Sequence, residues 1–509
     1  MINFCLTNQL TLVKGKWANK KYLGNGLRLY YDSGVEVIDM LQHVIVFCGI
    51  LWQGKVTNFA NNIKQNGIFY AVVFNKVTGK VQVINDVLDS FFLNYYVSGK
   101  HFVVTNEIKV YGPSFKINQQ WVNVSKLGVK LMDAPTQPHP DLTFPEGNHL
   151  LGYENATPLE GVKYLGAGQV LTLQTVDKQL TSSCYTYFSY NDDIGKVFDE
   201  KPQHDYKSAL DTAKWIISEN CKRIKEKYGD KLIHFSSTGI DSLILRTYLD
   251  DVPMCAFYSE EFDKYHESPE LFKRMFNDHG GILHRFDTKK SIQNAIDVQL
   301  LKIEKTHNYN PHQMMFLYMR DRYELNDRVM ITGSFGDHVF WHWHPYPTRH
   351  AIHRWGMTDA EQIWSRLLPH YGFGGPAVPT GTHSQQTRTK EIKDVVNKAY
   401  PDFKTACMGL RYFNGKMSAI VSQFWPDQLN LDPYADLRLW KLLPSCDIQT
   451  QEASILDAQI QKDMISDKWL PYLTPHKCGS NLYYDHDLDN LEFKKKMIDS
   501  LVKNIKEHD

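Results

Sequence analysis

Two short stretches gather the residue types that handle phosphate: "KLIHFSSTGIDSLILR" at 231–246 and "ITGSFGDHVF" at 331–340. Each passes from a strand-like apolar run into a small polar turn, and the first continues into an apolar helix. Ser236, Ser237, Thr238 and Ser242 bring hydroxyls, and Gly239 brings backbone that a ligand can approach closely. Hydroxyls, a glycine and the open amides of a helix N-terminus form an anion cradle, because unpaired N–H groups and the helix dipole both favour negative charge. Asp241 and Asp337, each just past its own strand, are placed to share a magnesium ion that neutralises phosphate oxygens. The same residue types also serve as ordinary helix caps, and a Gly-x-x-Gly-Asp turn is often plain punctuation. Two such turns on two strands of one sheet argue for a site.

The elements that must position these turns follow from the wider pattern. Residues 1–190 consist of short alternating or continuously apolar segments divided by turns, which reads as a β-rich domain. Within it, 70–84 predicts a hairpin turning at Thr78 and Gly79. Residues 191–206 are polar and read as a linker. In the remaining domain, 207–509, helical periodicity over 206–229 is followed by a strand at 232–235 and a helix after Ser242. A strand at 253–259, a helix over 267–280 and a strand at 328–334 come next. Strands alternating with helices predict an α/β fold with a doubly wound parallel sheet, where ligands sit at the carboxyl ends of the strands.

Composition narrows the classes. A chain of 509 residues exceeds one ordinary core, and 42% apolar with 13% aromatic residues is enough to fill two. The 57 basic residues balance 57 acidic ones, which removes any bulk electrostatic reason to expect nucleic acid or an anionic membrane. Eight cysteines are scattered without a Cys-x-x-Cys pair and read as reduced thiols. The longest apolar run, 44–52, is too short to span a bilayer, and no basic segment followed by an apolar one opens the chain. The expectation is a cytoplasmic protein.

The two turns also carry a resemblance. Ser237-Thr238-Gly239-Ile240-Asp241-Ser242 resembles the Ser-Gly-Gly-x-Asp-Ser pyrophosphate loop of the ATP pyrophosphatase (PP-loop) superfamily. Gly333 to Phe340 resembles the Gly-Glu-Gly-x-Asp-Glu-x-Phe segment of its asparagine synthetase branch. "PYADLRLWKLLP" from Pro433 is similar to that branch's Pro-Phe-Leu-Asp helix, and "LPYLTPHKCGSN" from Leu470 to its lysine loop. All four come in the family's order between about 205 and 485. Residues 67–108 resemble, more faintly, part of the amidotransferase sandwich that precedes the synthetase domain, which implies an αββα (Ntn-hydrolase-like) front domain.

The resemblance implies an enzyme that adenylates a carboxylate with ATP and passes the acyl group to an amine, releasing AMP and pyrophosphate. It implies Ser237, Gly239, Asp241 and Ser242 as pyrophosphate ligands, Asp241 and Asp337 as Mg2+ ligands, and Lys477 as the catalytic lysine. Ser236, Ser259, Gly333 and Ser334 match positions that line the nucleotide. Thr238 departs from the family's glycine, and a β-branched residue cannot follow glycine into positive φ. Ser334 replaces the glutamate that handles ammonia in asparagine synthetases, and His338 replaces the next acid. Gly-Asp-His-x-Phe is similar to the lasso-peptide cyclases of this branch, where His338 would take a proton from an attacking amine; bracing the loop is the alternative.

A glutaminase of this class needs a cysteine whose own α-amine is the base, yet Met1, Ile2, Asn3 and Phe4 precede Cys5. Cys48-Gly49 stands where the family has an Asn-Gly oxyanion hole. The front domain is therefore expected to be degenerate and without glutaminase activity. The expected substrates are small-molecule or peptide carboxylates and amines, as in β-lactam synthetase, with a homodimer left open. The alternatives are an asparagine synthase using ammonia or glutamine, and a non-catalytic nucleotide-binding protein. The histidines at 338, 342, 344, 350 and 353 lack a carboxylate or cysteine at ligand spacing and read as packing, and 492–509 reads as a solvated amphipathic helix.

Overall fold

The computed structural model describes residues 2–13, 15, 17–88, 90–111, 115–119, 157, 159–176, 179–188, 200–259, 269–300, 311–340, 428–455, 458–474, 499, 500 and 503. It is a mixed α/β structure, with antiparallel sheets in the first part and a parallel sheet in the second.

Among the described residues the front part holds twelve strands: β1 (Phe4–Thr7), β2 (Asn19–Gly24), β3 (Leu27–Tyr31), β4 (Glu36–Asp39), β5 (His43–Leu51), β6 (Gly67–Asn75), β7 (Val81–Asn85), β8 (Leu93–Ser98), β9 (His101–Thr105), β10 (Lys163–Leu165), β11 (Gln169–Val176) and β12 (Gln179–Thr186). They form two sheets, ordered β10-β8-β9-β1-β3-β2 and β12-β11-β7-β6-β5-β4. The sheets pack face to face, with Phe4 of β1 stacked on Tyr70 of β6 at 4.7 Å between ring centroids. Continuous apolar runs make β5 and β6 buried on both faces, whereas β12, with Thr181, Ser182 and Ser183, is an exposed edge. The expected hairpin is present: β6 and β7 pair antiparallel, Gly79 takes φ +69°, and Asn75 Oδ1 accepts from the Val77 and Thr78 amides at 2.9 Å. Among the described residues of this half α-helix occurs only at Gln119.

The second part begins with α1 (Tyr206–Tyr228), capped by Asp205, whose carboxylate accepts from Ser208 N at 2.8 Å, and ended by Gly229 at φ +49°. There follow β13 (Leu232–Phe235), α2 (Ile240–Tyr248), β14 (Met254–Ser259), α3 (Pro269–His279), β15 (Ile282–Phe286), α4 (Lys289–Leu300), α5 (Pro311–Arg322), β16 (Val329–Ile331) and α6 (Gly336–Phe340). After these come β17 (Asn430–Leu431), α7 (Leu437–Leu442), α8 (Ile448–Ile455) and α9 (Gln459–Lys462). All five strands are parallel, in the order β15-β14-β13-β16-β17. Leu232 packs on the layer with α1 and α2, and its neighbour Ile233 on the layer with α4 and α5, so both faces are covered.

The chain order reverses between β13 and β16, which makes their carboxyl ends the switch point of the sheet. The two polar turns leave from those two ends. Sequence pattern yields three of the five strands. β15 carries His284 and Arg285 on a half-exposed edge, and β17 has only two residues, so neither shows an apolar run. The strand expected over 328–334 stops at Ile331, because the Phe335 amide turns away to the Asp432 carboxylate at 3.0 Å.

The front sheets and the parallel sheet share a continuous buried core, and polar contacts fix their junction. The connection between β5 and β6 reaches over: Trp52 Nε1 donates to the Ala435 carbonyl at 2.6 Å, and Asn66 Nδ2 to Asp436 Oδ1 at 2.8 Å. Asp436 is fully buried, also accepts from Asn220 Nδ2 at 3.0 Å and from the Arg438 guanidinium at 2.6 Å, and caps α7. Gly49 takes φ +118° because a Cβ there would overlap the Ile68 carbonyl, and its own carbonyl accepts from Lys227 Nζ at 2.9 Å and Tyr228 Oη at 2.8 Å. Among the described residues no helix is long and apolar enough to cross a membrane.

Asp436→Ala strips the acceptor from two amides and a guanidinium at this junction, and is expected to lower unfolding free energy by about 3 kcal/mol. Urea denaturation measures it, and a loss below about 1 kcal/mol would show that the node is not structural.

Candidate functional site

The first turn is held by its own hydroxyls. Ser242 Oγ, in the first turn of α2, accepts from the Ser237 amide at 2.8 Å, and Ser237 Oγ accepts from the Gly239 amide at 3.2 Å. Gly239 is the cap residue of α2 and brings no side-chain oxygen, so the helix starts without a capping bond. The first amide to bond back is that of Leu243, to the Gly239 carbonyl at 3.0 Å. The amides before it have no acceptor within the helix, which is the arrangement that receives an anion. A Cβ on Gly239 would meet only Ser237 Oγ, at 3.2 Å, so the approach over this glycine is open.

Thr238 does not carry the strain that its place in a glycine position suggests. Among described residues with side chains, only Asn25, Glu324 and Ala458 take positive φ. Its turn therefore accommodates a β-branched residue, and its side chain is buried against Thr474. Ser236 is also buried: its amide bonds the Cys255 carbonyl at 3.0 Å, and its hydroxyl lies 3.0 Å from His234 Nδ1. The Ser236 hydroxyl thus faces the strand interior. His234 is held neutral there, because burial and then the Arg246 charge push its pKa well below the ordinary range.

The second turn lies against the first. A Cβ on Gly336 would overlap Asp241 Cγ and Oδ1 and stand 2.6 Å from Asp241 Cβ. Gly333 is close as well, with its Cβ direction 3.5 Å from the Asp241 carbonyl. Only a residue without a side chain lets the start of α6 sit beside the Asp241 carboxyl. This places the backbone of Asp337, the next residue, at the same spot; the side chains of Asp337 and His338 lie outside the described residues. Tyr434 buttresses the pair from behind, donating its hydroxyl to the Asp241 carbonyl at 2.8 Å and packing its ring edge-on to Phe340.

Asp432 fixes the second turn and was not singled out by sequence. It lies just before Pro433, one position outside the stretch that carries a resemblance, which was the available signal. Its carboxylate is 2% exposed and accepts from Phe335 N at 3.0 Å, Tyr434 N at 2.9 Å and Thr332 Oγ1 at 3.4 Å. Burial pushes this carboxyl up from 3.8 to about 7, against the lowering effect of those bonds.

Ser259 ends β14, next to β13, and Ser334 is partly exposed in the second turn. Thus Ser237, Gly239, Asp241, Ser242, Gly333, Ser334 and Gly336 are brought to one end of the sheet. Lys477, His342, His344, His350 and His353 lie outside the described residues, as does 492–509 except for 499, 500 and 503. The segment leading to Lys477 is seen up to Thr474, whose amide donates to the Thr238 carbonyl at 3.1 Å. Hard oxygen donors, namely a carboxylate and two hydroxyls beside an uncrowded glycine, suit Mg2+ better than softer ions. Among the described residues no group of three or more His, Cys, Asp or Glu forms a metal set. A magnesium ion held largely by substrate phosphates and water needs only one or two protein carboxylates.

Of the cysteines of the front part, Cys5 and Cys48 are buried and Cys184, on β12, is exposed. Cys5 lies in a small cluster with Val103, Ile108 and Tyr111, on the side of its sheet away from Phe4, and burial pushes its thiol far up. Cys48 is packed in the main core beside Tyr70, and burial raises it to about 12. Neither environment favours a thiolate. No family model matches the chain, and no curated protein matches it.

Two outcomes are expected. Gly336→Ala forces Asp241 away and costs about 1–3 kcal/mol by overpacking, whereas Gly333→Ala meets Leu245 Cδ1 at an ordinary 3.4 Å and costs less. Equal losses in denaturation experiments would refute the close approach. The folded chain binds the Asp432 proton more tightly than the unfolded chain does, so this group's contribution to stability falls as pH rises from 3.8 to about 7. Thermal midpoints at about pH 5 and pH 7.5 should show that loss in the wild type and not in Asp432→Asn.

Proposed function

We propose that the chain is an ATP-dependent, AMP-forming amide synthetase of the asparagine synthetase-like kind, with a front domain (1–190) that lacks glutaminase chemistry. The observation that supports it most is the contact of the two turns at the switch point, where Gly336 lies on Asp241. An isolated helix cap has no reason to meet a second glycine turn from the neighbouring strand.

In this reading one carboxylate oxygen attacks the α-phosphorus of ATP, the bond to the bridging oxygen breaks, and pyrophosphate leaves. The amine nitrogen then adds to the acyl carbon, gives up a proton, and AMP departs. Ser237, Gly239, Ser242 and the open start of α2 hold the leaving pyrophosphate, charge that the helix terminus favours. Asp241 and Asp337 would hold magnesium, which would neutralise the phosphate oxygens. Lys477 contributes an ammonium to charge that develops at phosphorus and then at the acyl carbon. His338 is the candidate proton acceptor, and Ser334, a poor base, disfavours handling of free ammonia. The buried, protonated surroundings of Cys5 and Cys48 support an amine that arrives within a substrate, not from glutamine.

ATP–pyrophosphate exchange tests this against a non-catalytic nucleotide-binding protein. With a panel of carboxylates, label is expected in ATP with wild type, at least about 100-fold less with Asp241→Asn, and Lys477→Ala is expected to bind ATP but turn over poorly. Full exchange in Asp241→Asn would end the proposal, and glutamate released from glutamine would favour an asparagine synthase instead.

A further inference from the structure

Thr238 makes a contact that a glycine in its place cannot. Its carbonyl accepts from the Thr474 amide at 3.1 Å, and its hydroxyl accepts from the Thr474 hydroxyl at 2.6 Å. Thr238 is only 1% exposed and Thr474 is half-buried, so water reaches the pair only in part. On its far side, the segment ending at Thr474 is tied to the scaffold. Tyr472 Oη donates to Asp278 Oδ2 at 2.7 Å and lies 3.1 Å from His279 Nε2, and Arg274 donates to the Pro471 carbonyl at 3.3 Å. Trp469 stacks under the Arg246 guanidinium at 4.7 Å. Residues 469–474 thus span from α3 to the first turn, with Thr238 as the attachment at the turn.

The neighbours of Thr238 in the chain are the ones that shape the anion cradle. The Ser237 amide is fixed by Ser242 Oγ and the Gly239 amide by Ser237 Oγ, so the Thr238 peptide cannot shift without moving both. We propose that Thr238 is a positioning residue: its hydroxyl bond to Thr474 couples filling of the phosphate turn to the order of residues 470–474. The proposal rests on the reading of that turn as a phosphate site, and adds to it a mechanical link that a glycine at 238 would lack. Phosphate settling on the turn restrains the Thr238 peptide, and the hydroxyl bond carries that restraint to Thr474.

Hydrogen–deuterium exchange on the full chain tests it, with MgATP and magnesium pyrophosphate as probes. In the wild type both 236–242 and 470–474 are expected to exchange about fivefold more slowly with either probe, the factor carried by a hydrogen bond of ordinary net strength. Thr238→Val, close in shape but without the hydroxyl, is expected to keep the protection of 236–242 and lose that of 470–474; Thr238→Ser is expected to restore it. Thr474→Val removes the same bond from the other partner and serves if Thr238→Val does not fold. Protection of 470–474 unchanged in either valine variant overturns the coupling while leaving the phosphate turn standing. A wild type in which neither probe protects 236–242 overturns both.

Discussion

The approach of Gly336 to Asp241 is the constraint on which the rest of the site depends. Two adjacent parallel strands end at the same level, and each sends its chain over the edge of the sheet. Their turns occupy one small space, and van der Waals exclusion allows it only if one contributes no side chain. With the hydrogen of Gly336 facing the Asp241 carboxyl, the starts of α2 and α6 bring two helix N-termini to one point. Partial positive charge from both then converges where a polyanion would lie.

This convergence needs support from behind, which comes from a single short stretch. Asp432 holds the Phe335 amide, Tyr434 holds the Asp241 carbonyl, the Ala435 carbonyl receives the Trp52 indole, and Asp436 joins Asn66 to Asn220. Five consecutive residues, 432–436, therefore connect both turns to the front sheets through buried polar bonds. Such bonds add little net stability over apolar packing, but their directionality selects one arrangement, since any slip leaves buried donors unsatisfied.

What the sequence disclosed and what it withheld separate along physical lines. The turns were legible because Ser, Thr, Gly and Asp at a strand end have a narrow set of uses, and β13 and β14 because apolar runs between turns have a period of their own. The hairpin at Gly79 was equally plain. The order of strands in the sheet was not, since pairing is decided by contacts far apart in the chain. Asp432 looked like any acid near a proline; its role depends on a burial that only the fold imposes. Thr238 looked like a defect in a glycine turn, and the backbone there proves ordinary, with the hydroxyl bonded to Thr474.

The Trp52 indole that ends on the Ala435 carbonyl has a consequence for how the two halves tolerate change. Cys5 and Cys48 of the front layer are shut inside hydrophobic packing, which keeps both thiols protonated. Loss of that layer would nevertheless uncover the peptide that steadies the opposite half, so the parallel sheet needs the front sheets in place. Dependence of this sort makes a change in the connection between β5 and β6 felt at the end of a different sheet.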